Sequence, residues 1–205
     1  MHSHAHHAPA LRLAGAAALI LSLLLAACGG GGGGSNSSTP VTATTPTTPA
    51  TPAPVAGTRL TCNLSNFQAD MLAAVNAHRR AGASCGTRGS FPATTELVWN
   101  ANLAQAAAGH SEDMVAQNFF SHTGSNGSSV GDRATAAGYL WRSVGENIAA
   151  GQPDVTAVVD AWMKSEGHCA NLMNASYRDL GAACMAGTAN TGYRSYWTQN
   201  FGAAR

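Results

Sequence analysis

Five cysteines and eight histidines are the residues of this 205-residue chain best suited to chemistry. No two cysteines have the two-residue gap of a zinc ribbon or a redox pair. No Gly-x-Ser-x-Gly elbow and no His-Glu-x-x-His helix occurs either. Cys28 stands apart at the end of an apolar run, leaving Cys62, Cys85, Cys169 and Cys184. An even number in an exported chain reads as two disulfides, with three connectivities open. Cys62 and Cys85 flank the first predicted helix, while Cys169 and Cys184 flank a loop leading into a strand. Local pairing, Cys62–Cys85 and Cys169–Cys184, is therefore the expectation. Each loop would hold about 15–23 residues, and each bridge would contribute roughly 3 kcal/mol through chain entropy. With these thiols paired, a cysteine nucleophile is excluded. The histidines His2, His4, His6 and His7 precede the predicted cleavage point and are lost from the mature chain. His78 and His110 fall on apolar helix faces and read as packed, hydrogen-bonded side chains.

The elements that position these residues follow from periodicity. Ser65-Asn66-Phe67-Gln68 has the form of a capping box opening a helix. Phe67, Met71, Val75 and His78 then recur at helical spacing until Gly82. A second helix is predicted over 101–117, with Leu103, Ala107, His110 and Met114 on one face. A third fits 130–137, ending at Gly138. Pro153 suits the first turn of a fourth, whose buried stripe is Val155, Val158, Val159 and Trp162. Strands are expected over 143–149, 180–186 and 193–201. The last alternates Tyr196, Thr198 and Asn200 against Trp197, Gln199 and Phe201, as a strand with two different faces does. Asn126-Gly127-Ser128 reads as a turn. Helices first and strands mostly later imply an α+β layer fold.

The first quarter of the chain is of another kind. Residues 11–27 are apolar except for Arg12, Gly15 and Ser22, too short to span a bilayer comfortably and ending in small residues, as an export signal does. Leu25-Ala26-Ala27-Cys28 resembles a lipobox, in which the cysteine thiol takes a diacylglyceryl group and the leader is cut before it. Two or three acyl chains, at roughly 0.8 kcal/mol per buried methylene, make a stable anchor. The alternative is ordinary cleavage near Ala27, leaving Cys28 as an odd thiol. Gly29 follows the cysteine rather than an aspartate, which leaves an outer-surface destination open. A glycine run and a Ser/Thr/Pro segment then form a tether of about 30 residues, averaging near 30 Å. The expected organisation is a signal peptide over 1–27, a lipidated Cys28 with its tether over 28–58, and one domain over 59–205. The expected location is the cell envelope, membrane-anchored and extracytoplasmic, at the outer membrane or surface. Eleven basic residues face ten acidic ones, so no charge surplus points to nucleic acid.

Five short segments carry a family resemblance. They are Val75-Asn76-Ala77-His78-Arg79; His110-Ser111-Glu112-Asp113-Met114 with Phe119-Phe120-Ser121-His122; Gly145-Glu146-Asn147-Ile148; Ala161-Trp162-Met163-Lys164-Ser165 with Gly167-His168; and Tyr196-Trp197-Thr198-Gln199-Asn200-Phe201-Gly202. In this order the chain resembles the CAP/SCP superfamily (cysteine-rich secretory, antigen 5 and pathogenesis-related proteins) in its compact bacterial form. The resemblance implies a three-layer α-β-α sandwich with a central, largely antiparallel sheet. It also implies a cleft lined by His122, His168 and Glu146, a donor set that suits zinc or another divalent cation with an open position. The family's second acid would fall at Ser165. Glu166 is one residue further on, about 100° around a continuing helix, and reads either as a cleft carboxylate or as a solvated loop charge. The cleft itself reads either as a metal site or as a hydrogen-bond network that a neutral imidazole and a carboxylate satisfy alone.

Three functions follow from the resemblance. The first is a displayed, non-enzymatic binding module for a lipid, carbohydrate or cell-wall, or protein ligand. The second is a structural, wall-facing protein with a non-functional cleft. The third is a metal-dependent peptide hydrolase with water activated between His122 and His168. A serine variant of the hydrolase would need Ser165 or Ser121 beside a histidine.

Overall fold

The structure, a computed structural model, describes residues 60–205. The expected leader, Cys28 and the tether lie outside the described residues. Helix α1 (Phe67–Ala81) buries Phe67, Met71 and Val75 as the repeat requires, but the last buried position is Arg79, not His78, which is half-exposed. The expected capping box does not form. Cys62, Asn63 and Asn66 all take left-handed backbone angles, so the chain turns sharply into the helix, and Asn66 stands at its start without a side-chain cap.

Two short strands, β1 (Ala83–Ser84) and β2 (Ser90–Phe91), pair antiparallel beyond α1, and β3 (Val98–Trp99) follows. Helix α2 (Ala101–Ala116) is capped by Asn100, whose Oδ1 accepts from the N–H groups of Asn102 and Leu103. This satisfies donors that a helix start otherwise leaves bare. Helix α3 (Val130–Ala136) opens on a true capping box between Ser129 and Asp132. Strand β4 (Trp141–Ala150) is longer than expected. Helix α4 (Val155–Lys164) begins after Pro153 rather than on it, because Asp154 takes the cap and accepts from the Ala157 N–H at 2.8 Å. Helix α5 (Glu166–Leu172), β5 (Asp179–Ala186) and β6 (Ser195–Ala204) complete the chain.

The main sheet runs β3-β5-β6-β4, parallel between β3 and β5 and antiparallel elsewhere. Helices α2 and α3 cover one face, and α1, α4 and α5 the other. This is the α+β, α-β-α sandwich. The alternation expected in β6 holds, but both faces are buried, as a middle layer demands. Trp197 and Phe201 pack with Phe67, Met71, Val158 and Trp162 on one side, while Tyr196 meets Met114 on the other. Thr198 receives the Ser111 hydroxyl at 2.8 Å from α2. Helix α2 lies directly on β5: a Cβ at Gly181 would run into the backbone of Leu103 and Ala104.

Asn76 and Arg79 serve this frame. Asn76 exchanges hydrogen bonds with both backbone groups of Leu97. The Arg79 guanidinium donates to the carbonyls of Thr95, Leu172 and Asn174 at 2.8, 2.7 and 3.1 Å, tying α1 to the end of α5. Burial, with Arg178 nearby, lowers its pKa to about 10, so it stays charged at neutral pH.

The disulfide pairing differs from expectation. The bridges are Cys62–Cys184 and Cys85–Cys169, not Cys62–Cys85 and Cys169–Cys184. The physical reason is tertiary. The segment before α1 lies parallel to β5, with Thr61 bridged to Cys184 and the Cys62 N–H on the Cys184 carbonyl at 2.9 Å. Cys85, just past α1, meets Cys169 within α5.

Candidate functional site

The site is built around the free edge of the sheet, strand β4. In a strand, successive side chains point to opposite faces. Glu146 therefore reaches toward α2 and α3, while Asn147 reaches toward α5, where its amide donates to the His168 carbonyl at 3.2 Å and to Gln199 Oε1 at 3.1 Å. Asn171 of α5 donates to the outward-facing Glu146 carbonyl and to Asn147 Oδ1, both at 3.0 Å, so the edge strand is stitched to that helix. Gly145 leaves room for this, since a Cβ there would strike Asn171 and Tyr177.

The Glu146 carboxylate is almost wholly buried, its side chain 2% exposed, and both oxygens are engaged. Oε1 accepts from His122 Nδ1 at 2.9 Å, and His110 Nε2 lies 3.8 Å away. Oε2 accepts from Arg133 Nη2 at 2.7 Å. Asn200 is paired with Glu146 across β4 and β6, and with its amide turned to satisfy both neighbours it donates to Oε2 at 3.1 Å and accepts from the Ala107 N–H at 3.1 Å. A carboxylate out of water needs such partners, and here it has them from two helices, a loop and a strand.

Arg133 is the organiser. Besides Glu146 it donates through Nη2 to the His122 carbonyl at 3.1 Å and through Nη1 to the Ser128 carbonyl at 2.8 Å, fixing the loop after α2. His110 is fully buried and directs Nε2 at the Ser121 carbonyl, 2.9 Å away. Burial pushes its pKa down, against the opposing pull of Glu146. His122 is the exposed member, its side chain 56% accessible. With Nδ1 donating to Glu146, Nε2 is its open ring nitrogen. His168, on the first turns of α5, is half-buried. Its pKa is lowered by burial first and then by the charge of His122.

The sequence-predicted residues thus divide. His122 and Glu146 are in direct contact, and His168 is joined to the same strand through its carbonyl, which accepts from Asn147. Glu166 is turned away: it is exposed, its carboxylate accepts from the Thr87 hydroxyl, and this hydrogen bond lowers its pKa. It is the first residue of α5 and faces solvent. Ser165 is the joint between α4 and α5, with an extended backbone and no side-chain cap bond. Ser121 Oγ accepts from the Thr123 N–H. Among the described residues neither serine hydroxyl is hydrogen-bonded to His122 or His168. His110 is packed and hydrogen-bonded, as expected.

Sequence reasoning missed Arg133, Asn200 and the structural duty of Asn147 and Asn171. Arg133 is separated from Glu146 by 13 residues and a turn, and no spacing rule joins them. The sequence signals for Asn200 were its place on one face of an alternating strand and within the last resemblance segment, and neither assigned it to Glu146. The three implied metal residues do not fit the zinc site. Glu146 has no free oxygen, and the Arg133 cation already neutralises it at 2.7 Å. Among the described residues no three His, Cys, Asp or Glu side chains form a metal-holding group.

The comparisons with known proteins agree with this architecture. The model of the CAP, cysteine-rich secretory protein family matches residues 72–201, well over half of the chain, and the chain belongs to that family. It is 39% identical over 106 residues to the membrane protein YlbC of Bacillus subtilis (strain 168), across 52% of this chain and 28% of that one. A crystal structure of an extracellular SCP-domain protein from Bacillus anthracis is 36% identical, across 53% of this chain and 34% of that one, with a TM-score of 0.46. An outer surface protein of Borrelia burgdorferi, 20% identical, has a TM-score of 0.50 across 55% of this chain and 80% of its own. The matched stretch is thus about a third or less of the two Bacillus proteins. Among the described residues no helix is long and apolar enough to cross a membrane.

Proposed function

We propose that the chain is a CAP-domain binding module displayed on the cell envelope, and that His122 and His168 are among the side chains that meet its ligand. The observation that carries this is the locked carboxylate. Glu146 spends Oε1 on His122 and Oε2 on Arg133, so it is a positioning group rather than a free base or ligand. It aims one nitrogen of His122 inward and leaves the other to meet a partner. A general base must reach the proton it takes, and a buried carboxylate already holding two donors does not. Display rests on the export signal and Cys28 anchor read from the sequence, and on relatives that are extracellular or membrane proteins.

Two experiments test this. Replacing the chain in cells with a His122→Ala/His168→Ala variant is expected to abolish its phenotype at normal surface level. Wild-type behaviour would favour the purely structural role, and peptide turnover that His122→Ala abolishes would replace binding with hydrolysis. Labelling with a radioactive fatty acid is expected to mark the wild-type chain and not Cys28→Ser; equal labelling would remove the anchor.

A further inference from the structure

Strand β4 is the last strand of the main sheet, so one of its edges has no neighbouring strand. In an antiparallel ladder, alternate residues turn their backbone groups to opposite edges. The Glu146 carbonyl is met by Asn171 Nδ2 of α5 at 3.0 Å, and the Ile148 carbonyl by Trp162 Nε1 of α4 at 3.1 Å. These two residues therefore face away from β6, and Val144 shares their parity. The Val144 and Glu146 N–H groups point the same way, about 7 Å apart. Among the described residues neither has a hydrogen-bond partner.

This stretch of the edge is open to solvent. Glu146 is 9% exposed as a residue but 2% exposed in its side chain, so what water reaches there is mainly backbone. Arg142 is exposed, and Ser143, Val144 and Gly145 are half-buried.

An unpaired strand edge is a template for an added strand. This edge is one-sided, because its donors are bare while the carbonyls of Glu146 and Ile148 are already taken. A second copy of β4 would bring the same bare donors and the same occupied carbonyls, so two such edges are poorly matched. An ordinary peptide would set N–H groups of its own against a carbonyl that already has a donor. Proline keeps the carbonyl and lacks the N–H. It also holds the residue before it extended.

We infer that the β4 edge at Val144 and Glu146 receives an extended peptide with proline at every second residue, whose proline carbonyls accept from those two N–H groups. This rests on the reading of the domain as a binding module and names the ligand class. The same strand carries the Glu146 side chain that holds His122 and the Asn147 side chain that holds the His168 carbonyl.

The test is an NMR titration of the nitrogen-15-labelled full chain with a blocked octapeptide of alternating Thr and Pro at millimolar concentration. Its counterpart of alternating Thr and Ala is titrated beside it. The Val144 and Glu146 amide protons are expected to shift downfield and to exchange with solvent at least fivefold more slowly. The Thr-Ala peptide should bind at least threefold more weakly. Val144→Pro removes a donor that no ladder bond uses and should weaken binding of the Thr-Pro peptide at least fivefold, with unchanged signals from β5 and β6 as the check on folding. Should that variant not fold, the two peptides on the wild type decide the matter. No shift at the two amides, shifts confined to other elements, or equal binding of both peptides would overturn the inference. Loss of the same two signals with rising protein concentration, before any peptide is added, would mean that a second copy covers the edge and would overturn it too. A lost phenotype in His122→Ala/His168→Ala with no peptide shift in the wild type would remove the peptide and leave the binding module standing.

Discussion

Glu146 and its four neighbours show how burial and charge divide labour among side chains of similar type. His122 and Arg133 both touch the carboxylate, but the ring of His122 is 56% exposed while Arg133 is 11% exposed. Contacts made in water contribute little, and those made out of water are costly to break one-sidedly. Glu146→Ala is therefore expected to cost about 3–5 kcal/mol in urea denaturation, because it strands a buried guanidinium. His122→Ala is expected to cost less than about 1 kcal/mol. Equal costs would show that the carboxylate is not the clamp. The buried histidines also set a pH dependence. His110 and His168 both have folded pKa values pushed below the ordinary 6.5, mainly by burial. The unfolded chain then binds the proton more readily than the folded one. Their stabilising contribution is complete above about pH 6.5 and is lost as pH falls through the depressed folded values. Melting temperatures should be flat near neutrality and fall toward pH 5, with a smaller fall in His110→Gln. An identical fall in His110→Gln and in His168→Gln would place the titration elsewhere.

Elements explain why the site was only half legible in the sequence. The long periodic stretches, α1, α2, α4 and strands β4 to β6, were readable because a buried stripe imposes its spacing on the chain. The two-residue strands β1, β2 and β3 were not, since two residues carry no period. Helix α5 was hidden because its seven residues hold only Cys169 and Leu172 buried, too few for a stripe. The Ser65 capping box failed for the same reason from the other side: the left-handed turn at Cys62 and Asn63 is decided by a tertiary contact with β5, which outweighs a local signal. His122, Glu146 and His168 were legible only through resemblance, and Arg133 not at all. Glycines give the sharpest element-scale contrast. At Gly181 a methyl would enter the α2 backbone, while at Gly109 it would meet open space. Gly181→Ala is expected to destabilise by about 1–3 kcal/mol through overpacking. Gly109→Ala should stabilise by about 0.5–1 kcal/mol through helix propensity. Thermal melts of the two variants read the signs directly, and a destabilised Gly109→Ala would overturn the propensity argument.

At the scale of the whole molecule the two disulfides decide how the layers are held. Local bridges would have closed two small loops and left the sandwich itself unbraced. The observed pairs instead span 122 and 84 residues. One ties the entry segment to the central strand β5, and the other ties the turn after α1 to α5 at Cys169, the residue next to His168. Closing loops of this length removes more freedom from the unfolded chain than closing short ones, and the chain-entropy relation gives roughly 4.5–5 kcal/mol for each against about 3 for a local pair. Both bridges also lie beside elements that carry the site, so their loss should loosen it as well as destabilise the fold. Cys62→Ala/Cys184→Ala is expected to lower stability by several kcal/mol in urea, near the upper end of what single disulfides contribute. Cys85→Ala/Cys169→Ala should additionally increase hydrogen exchange across α5 and the Glu146–Asn147 edge. Peptide mapping without reduction reads the pairing itself: a fragment joining Cys62 to Cys184 is expected, and one joining Cys62 to Cys85 would reverse this account of the brace. That outcome would also return the sandwich to packing alone, with α5 and its histidine held chiefly by Arg79 and the asparagine stitches of β4.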